Sequence, residues 1–421
     1  MPPTGPGSSE VKPAVARRSP GATWLVAATL CVSSLSCRVP GAPRPVILVS
    51  IDTLRPDHLG CYGYRRPTSP NVDAFSRDGV LFRQVIAQAP STLPSHASIF
   101  TSLIPPHHTA SIANNLALPT GLITLAEVLR DHGYVTASFN GGIQLDAAWG
   151  LDQGLDTYVS VKPREATAKS LVDPKDRFAH VVGLAQAWIE RNEGRPFFLF
   201  LHTYEVHHPY TPDAADLAPF RGNYRGPLAD HITVDVLRRI NERKLAVDDR
   251  DRQHIVDAYD GEIRSVDRAF GAFVEFLKAK RLYDSCLLVF TSDHGEEFGE
   301  HGWMGWHSHS LFDELLRIPL LVKLPASRLA GTAVESQVRG IDIAPTILAA
   351  LGLPAPGQFE GRSLLPAGAA SVIAPPEAFS SRDVVESHAS VALRTPEWKY
   401  YDGRLYDLTN DKAETQDVAP Q

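Results

Sequence analysis

The chain has 421 residues, 43% of them hydrophobic, and sets 41 Lys+Arg against 48 Asp+Glu for a net charge of −7. That length buries one large core, or a large core and a small one. With no Lys/Arg run and no basic excess, nucleic acid is excluded as the main partner.

In chain order, residues 1–43 read as an export segment. Arg17 and Arg18 precede the short apolar run Ala22–Leu30, and small residues lead on to Cys37. The run is too short to span a bilayer comfortably and has the layout of a bacterial export signal. Ser34-Leu35-Ser36-Cys37 is similar to a lipoprotein cleavage box, in which the cysteine is lipidated. The expectation is a periplasmic or extracellular protein, either plainly secreted or tethered to a membrane through lipidated Cys37. Cys61 and Cys286 then remain in the mature chain, as a disulfide or as two buried thiols.

From Pro45 onward, apolar runs alternate with helical patterns. Val46–Ile51, Tyr134–Phe139, Phe197–Leu201, Leu287–Phe290 and Leu320–Leu324 read as strands. Thr124–His132, Phe178–Asn192, Asp249–Lys280 and Asp342–Leu351 read as helices between them. Fully apolar strands between amphipathic helices predict an α/β fold, a large, mainly parallel sheet covered by helices on both faces. This catalytic domain is expected over 44–352, with a surface excursion at Phe220–Asp251. A Pro/Gly/Ala-rich linker follows at 353–380. A small C-terminal α+β subdomain takes 381–421, its antiparallel strands at Val384–Glu386, Val391–Arg394, Trp398–Tyr401 and Leu405–Leu408.

In such sheets ligands bind beyond the carboxyl ends of the strands. Asp52, Asn140, His202–His208 and Asp293-His294 stand there. Two carboxylates and an imidazole at strand ends suit a divalent ion. In Ala89–Ser98, Ser91 or Thr92 is placed to cap a helix and Pro94 to sit in its first turn. A hydroxyl at that position lies in the positive field of a helix N-terminus, where an anion also binds. Seven of the 16 histidines fall in Pro196–Tyr210 and Asp293–Ser310, suited to delivering a proton near neutral pH.

Together these residues resemble the sulfatase family of the alkaline phosphatase superfamily. The resemblance rests on Val49-Ser50-Ile51-Asp52-Thr53-Leu54-Arg55-Pro56-Asp57, Thr68-Ser69-Pro70-Asn71, Gly79–Phe82, Thr92–Thr101, Ser292–Glu296, Leu315–Pro319, Asp342–Thr346 and Leu405–Leu408. It runs in order from about Pro45 to Val418. It implies one divalent ion (calcium, alternatively manganese, magnesium or zinc) held by Asp52, Thr92, Asp293 and His294. It implies His207 and His309 as catalytic partners of Thr92, with His202, His307, Arg55 and His96 lining the substrate. Thr92 stands where sulfatases carry the Cys or Ser that becomes formylglycine; oxidising a secondary alcohol gives a ketone, so formylglycine is not expected. His96 replaces the motif arginine. Thr as direct nucleophile resembles the superfamily's phosphoryl-transfer members. The function expected is therefore metal-dependent hydrolysis of a sulfate or phosphate ester through a covalent intermediate on Thr92, with phosphorus favoured. The alternatives are a phosphoethanolamine- or phosphoglycerol-type head-group transferase at a membrane, and a non-catalytic binding protein. The expected partner is a small-molecule, glycan or lipid ester.

Overall fold

The computed structural model describes residues 44–162, 177–365, 377–382 and 390–419. The export segment and the expected strand Val384–Glu386 lie outside them. Ten strands precede the C-terminal piece: β1 Val46–Ile51, β2 Val80–Ile86, β3 Val135–Asn140, β4 Thr157–Ser160, β5 Phe197–Thr203, β6 Leu287–Thr291, β7 Glu297–Phe298, β8 Met304–Trp306, β9 Arg317–Lys323 and β10 Thr332–Arg339. Eight of them form one sheet in the order β10-β2-β9-β6-β1-β5-β3-β4, and β7-β8 form a separate hairpin. β9 runs antiparallel to both β2 and β6, while the other pairs are parallel. The sheet is thus mainly parallel, as expected, with one reversed strand.

The two faces bury different residues, which explains the uninterrupted apolar runs. Along β1, Ile47, Val49 and Ile51 enter one core with Phe270 and Phe273 of the long helix Asp249–Ala279. Val46 and Leu48 enter the opposite core with Phe100 of the helix Thr92–Thr101 and Leu348 of the helix Ile343–Leu351. The predicted excursion at 220–251 contains a short helix, Val234–Asn241.

Four more strands, β11 Ala378–Arg382, β12 Ser390–Arg394, β13 Trp398–Tyr401 and β14 Arg404–Asp407, make an antiparallel sheet. β11 occupies the end of the expected linker, because Ser380 and Ser381 bond back to Ala87 and Gln88 and pull that stretch into the fold. Asp313 joins this sheet to the segment between β6 and β9. It accepts from Arg394 at 2.9 Å and from Lys399 at 3.2 Å, and Lys399 also reaches Glu414 at 2.7 Å. Arg382 donates to the His309 carbonyl at 2.6 Å. Cys61 and Cys286 are free thiols, and burial pushes them up to about 12 and about 11.

A buried histidine under the Thr92–Thr101 helix makes the fold acid-sensitive. His108 is fully buried between the Ser98 hydroxyl and the Ala110 N–H, both at 3.1 Å. Burial lowers its imidazole to about 3. The unfolded chain therefore binds the proton first, and stability falls as pH drops from about 6.5 toward 3. At pH 5 this one group costs about 2 kcal/mol. Urea midpoints at pH 7 and pH 5 check this, with a smaller difference expected for His108→Gln.

Candidate metal and nucleophile site

The central strand order β6-β1-β5 brings three polar strand ends side by side. Ser50 is in register with Thr291 on one side and His202 on the other, so Asp52, Asp293 and His202 emerge at one edge. All three, with Thr92, His96 and His294, are fully buried.

Asp52 Oδ2 accepts the Thr92 hydroxyl at 3.1 Å and lies 3.3 Å from His202 Nε2. Asp293 Oδ1 accepts the N–H groups of His294 at 2.9 Å and Thr53 at 3.3 Å. Three atoms are left over: Asp52 Oδ1, Asp293 Oδ2 and His294 Nε2 are buried with no hydrogen-bond partner. Asp293 Oδ2 and His294 Nε2 are 3.4 Å apart, and ligand atoms of Asp52, Asp293 and His294 lie within 4.8 Å of one another. A buried carboxylate oxygen without a partner is costly. Two such oxygens and one imidazole nitrogen converging on one point fit a divalent cation.

The local backbone is shaped around these atoms. Thr53 has φ 54°, an unfavourable conformation for a β-branched residue. It is held there by Asp293 at its N–H and by the Tyr259 hydroxyl, which donates to its carbonyl at 2.8 Å. Ser91 is the helix N-cap, without a side-chain cap bond, and Thr92 is the first helical residue. That position turns its hydroxyl away from the helix and onto Asp52. Ser95 fixes the helix to the other strand by donating to the Asp293 carbonyl at 2.6 Å.

Electrostatics agree with a cation. Burial raises Asp52 to about 6 against the pull of His294, so a bare Asp52 carboxylate is disfavoured here. For His294 burial works downward, but Asp293 and Asp52 outweigh it and raise the imidazole. Burial lowers His96 and His202 to about 4. His96 sits behind the site, 3.0 Å from Ser50 Oγ, 2.8 Å from the Thr92 carbonyl and 3.6 Å from Asp293 Oδ2.

Not every expected residue converges. His309 turns to Glu297 at 2.7 Å and packs on Trp303. The imidazole beside His294 is instead His307, 4.6 Å between ring centroids, with His207 4.8 Å further on. Arg55 is committed to Asp57 at 2.8 Å, Glu300 at 2.7 Å and the Glu296 carbonyl at 2.9 Å, where it braces the loop after Asp293. Glu296, for which the sequence suggested no role, anchors His307 Nδ1 at 2.7 Å and accepts the Tyr210 hydroxyl at 2.8 Å. An acid two residues after the Asp-His pair in a histidine-rich stretch was the available signal. A cleft of about 250 Å³ is lined by Ser91 and Pro94, which flank Thr92 in the chain, and by Ser111, Gln144, Ser308 and Ser381 among others.

The sulfatase family model matches residues 44–353, and the model of the N-sulphoglucosamine sulphohydrolase C-terminal region matches 299–421. The multifunctional alkaline phosphatase superfamily protein PehA of Trinickia caryophylli is 25% identical over 401 residues, covering 77% of this chain and 76% of its own length. Arylsulfatase K of Canis lupus familiaris is 24% identical over 441 residues, covering 90% and 79%. Among solved structures, the phosphonate monoester hydrolase of Agrobacterium radiobacter superposes with TM-score 0.71 at 22% identity, covering 89% of this chain and 91% of that one. A protein in complex with its substrate D-glucosamine-2-N,6-O-disulfate gives 0.70 at 17% identity, covering 89% and 93%. With the family model spanning most of the chain, this protein is a member of the sulfatase family of ester hydrolases.

Proposed function

We propose that the chain hydrolyses a phosphate ester, a diester or phosphonate monoester in preference to a sulfate, through a covalent intermediate on Thr92. The carrying observation is the Thr92 hydroxyl on Asp52, facing three partnerless ligand atoms on Asp52, Asp293 and His294. Asp52, Asp293, His294 and Thr92 would hold one divalent ion, which when bound supplies Lewis-acid stabilisation of negative charge. Asp52 Oδ2 orients the Thr92 hydroxyl through their hydrogen bond. Thr92 Oγ1 attacks phosphorus, the bond from phosphorus to the ester oxygen breaks with its electron pair on that oxygen, and the hydroxyl proton ends on it, releasing a neutral alcohol. Water then attacks phosphorus in the resulting threonine phosphodiester or threonine phosphonate ester, releases the phosphate monoester or the phosphonate, and restores the hydroxyl. Phosphorus is preferred because a threonine sulfate has no aldehyde route for expelling sulfate, whereas a threonine phosphoester or phosphonate ester needs only in-line attack by water. His207 and His307 are the polar groups beside His294 that face the departing part of the ester.

The test is turnover of matched aryl sulfate, phosphate monoester, phosphodiester and phosphonate monoester with calcium, manganese, magnesium or zinc added. Metal-dependent phosphodiester or phosphonate cleavage is expected to dominate. Faster sulfate cleavage that needs Thr92 overturns the preference for phosphorus.

A further inference from the structure

The amino ends of the central strands frame a pocket of their own. Pro45, Phe197 and Ser285 stand at the starts of β1, β5 and β6, whose parallel register sets Val46 beside Phe198 and Leu287. They help line a pocket of about 370 Å³, at the opposite edge of the sheet from Asp52, His202 and Asp293. Buried Ile189 and Phe197 give it an apolar side, and Arg44, Arg195 and Lys280 give it positive charge.

Those charges are not balanced within the pocket. Glu193 is the acid of the lining, and Lys280 holds it at 3.0 Å while also reaching Glu190 at 3.0 Å. Arg195 makes one long bond to Asn192 Oδ1, 3.4 Å. Arg44 and Arg195 are both exposed and have no acid partner among the described residues. The chain as a whole carries −7, so an anionic surface repels most of the molecule and attracts it only through a locally basic face. The chain also enters the fold here. Arg44 is the first described residue and follows Cys37 by seven positions, a reach of at most about 25 Å.

We propose that this end of the sheet faces a membrane, docking on a bilayer of anionic phospholipid with a headgroup phosphate seated between Arg44 and Arg195. The planar fork of arginine matches paired phosphate oxygens, and Ile189 and Phe197 suit the carbons that follow the phosphate. A lipid on Cys37 would hold the same end close to the bilayer; the basic pocket acts with or without it. β1 is six residues long, so the docked surface and Asp52 stand about 20 Å apart. The nucleophile site then opens away from the membrane, and its ester arrives from the solvent side.

The experiment sediments the full chain carrying Cys37→Ser, which removes any lipid, with vesicles of phosphatidylcholine alone or of equal parts phosphatidylcholine and phosphatidylglycerol. Retention on the anionic vesicles is expected to exceed that on the neutral ones and to fall as salt is added. Arg44→Gln and Arg195→Gln should each weaken retention about fivefold, and together about 25-fold. Both side chains are exposed, so these variants should fold and turn over a soluble ester like the unaltered chain. Amide hydrogen exchange on anionic vesicles should slow in 189–197 and 280–285. Equal retention on both kinds of vesicle overturns the proposal, as does undiminished retention of the double variant or protection confined to the residues around Thr92. Retention requires no turnover, so it reads the docking face even if no ester is cleaved.

Discussion

Thr92→Ala is expected to lower kcat for the preferred ester by at least about 10³-fold, the scale of losing a covalent nucleophile. The protein should stay folded: the substitution removes one hydroxyl and one hydrogen bond, worth about 1 kcal/mol. Asp52 Oδ2 keeps its contact with His202. Thr92→Ser restores an oxygen in the same place and should retain activity within about tenfold of the original, a difference of about 1.4 kcal/mol in the barrier. Rapid quenching followed by mass spectrometry of the Ala89–Ser98 region checks the chemistry directly. An adduct carrying the substrate's phosphoryl or phosphonyl group with its non-leaving substituent should appear on Thr92 in the unaltered protein and be missing from Thr92→Ala. Equal turnover by Thr92→Ala would remove the hydroxyl from the mechanism altogether.

The second large effect is expected from Asp293→Asn. Asp293 Oδ2 is one of the three partnerless atoms, and its other oxygen holds Thr53 in its left-handed conformation and caps the His294 N–H. An amide oxygen can occupy the Oδ1 position and keep those bonds, while the NH₂ group presents donors where the ion needs an acceptor. The variant should therefore fold, yet lose affinity for the ion that supports turnover by at least about 100-fold, and lose activity with it. A ligand that binds only the native state at 100 times its Kd adds about 2.7 kcal/mol of stability. The unaltered protein should accordingly melt higher with whichever of calcium, magnesium or manganese supports turnover, and Asp293→Asn should not respond. Differential scanning calorimetry with and without chelator makes the comparison. An undiminished rise in the variant would take Asp293 out of the ligand set.

How much of this was legible beforehand depended on burial. β1, β5 and β6 are covered on both faces and so read as nearly continuous apolar runs, while β3 carries buried Thr136 and Ser138 among its apolar residues. β10 has the sequence Thr332-Ala-Val-Glu-Ser-Gln-Val-Arg339 and is mostly exposed at the sheet edge, leaving no such run to find. The reversal of β9 is equally invisible, since a strand buried on both faces looks the same in either direction. In the site, Asp52, Asp293 and His294 were legible because polar residues directly after apolar strands have one place to go. The choice between His307 and His309 was not. They are two residues apart in an irregular stretch, and each is aimed by one of two consecutive acids, Glu296 or Glu297, a pairing that only the β7-β8 hairpin reveals.

The reversed strand has a consequence for how this molecule changes over generations. β6 and β9 are adjacent partners, Thr291 opposite Leu320, so Ser292–Leu316 leaves and re-enters the sheet at the same edge. That stretch carries Asp293 and His294, and also Glu296, Glu297, His307 and His309. Insertions or deletions within it alter neither the strand order nor the register on either side. The fold thus confines much of its chemistry to a cassette that drift can lengthen, shorten or exchange, while the scaffold presenting it stays the same.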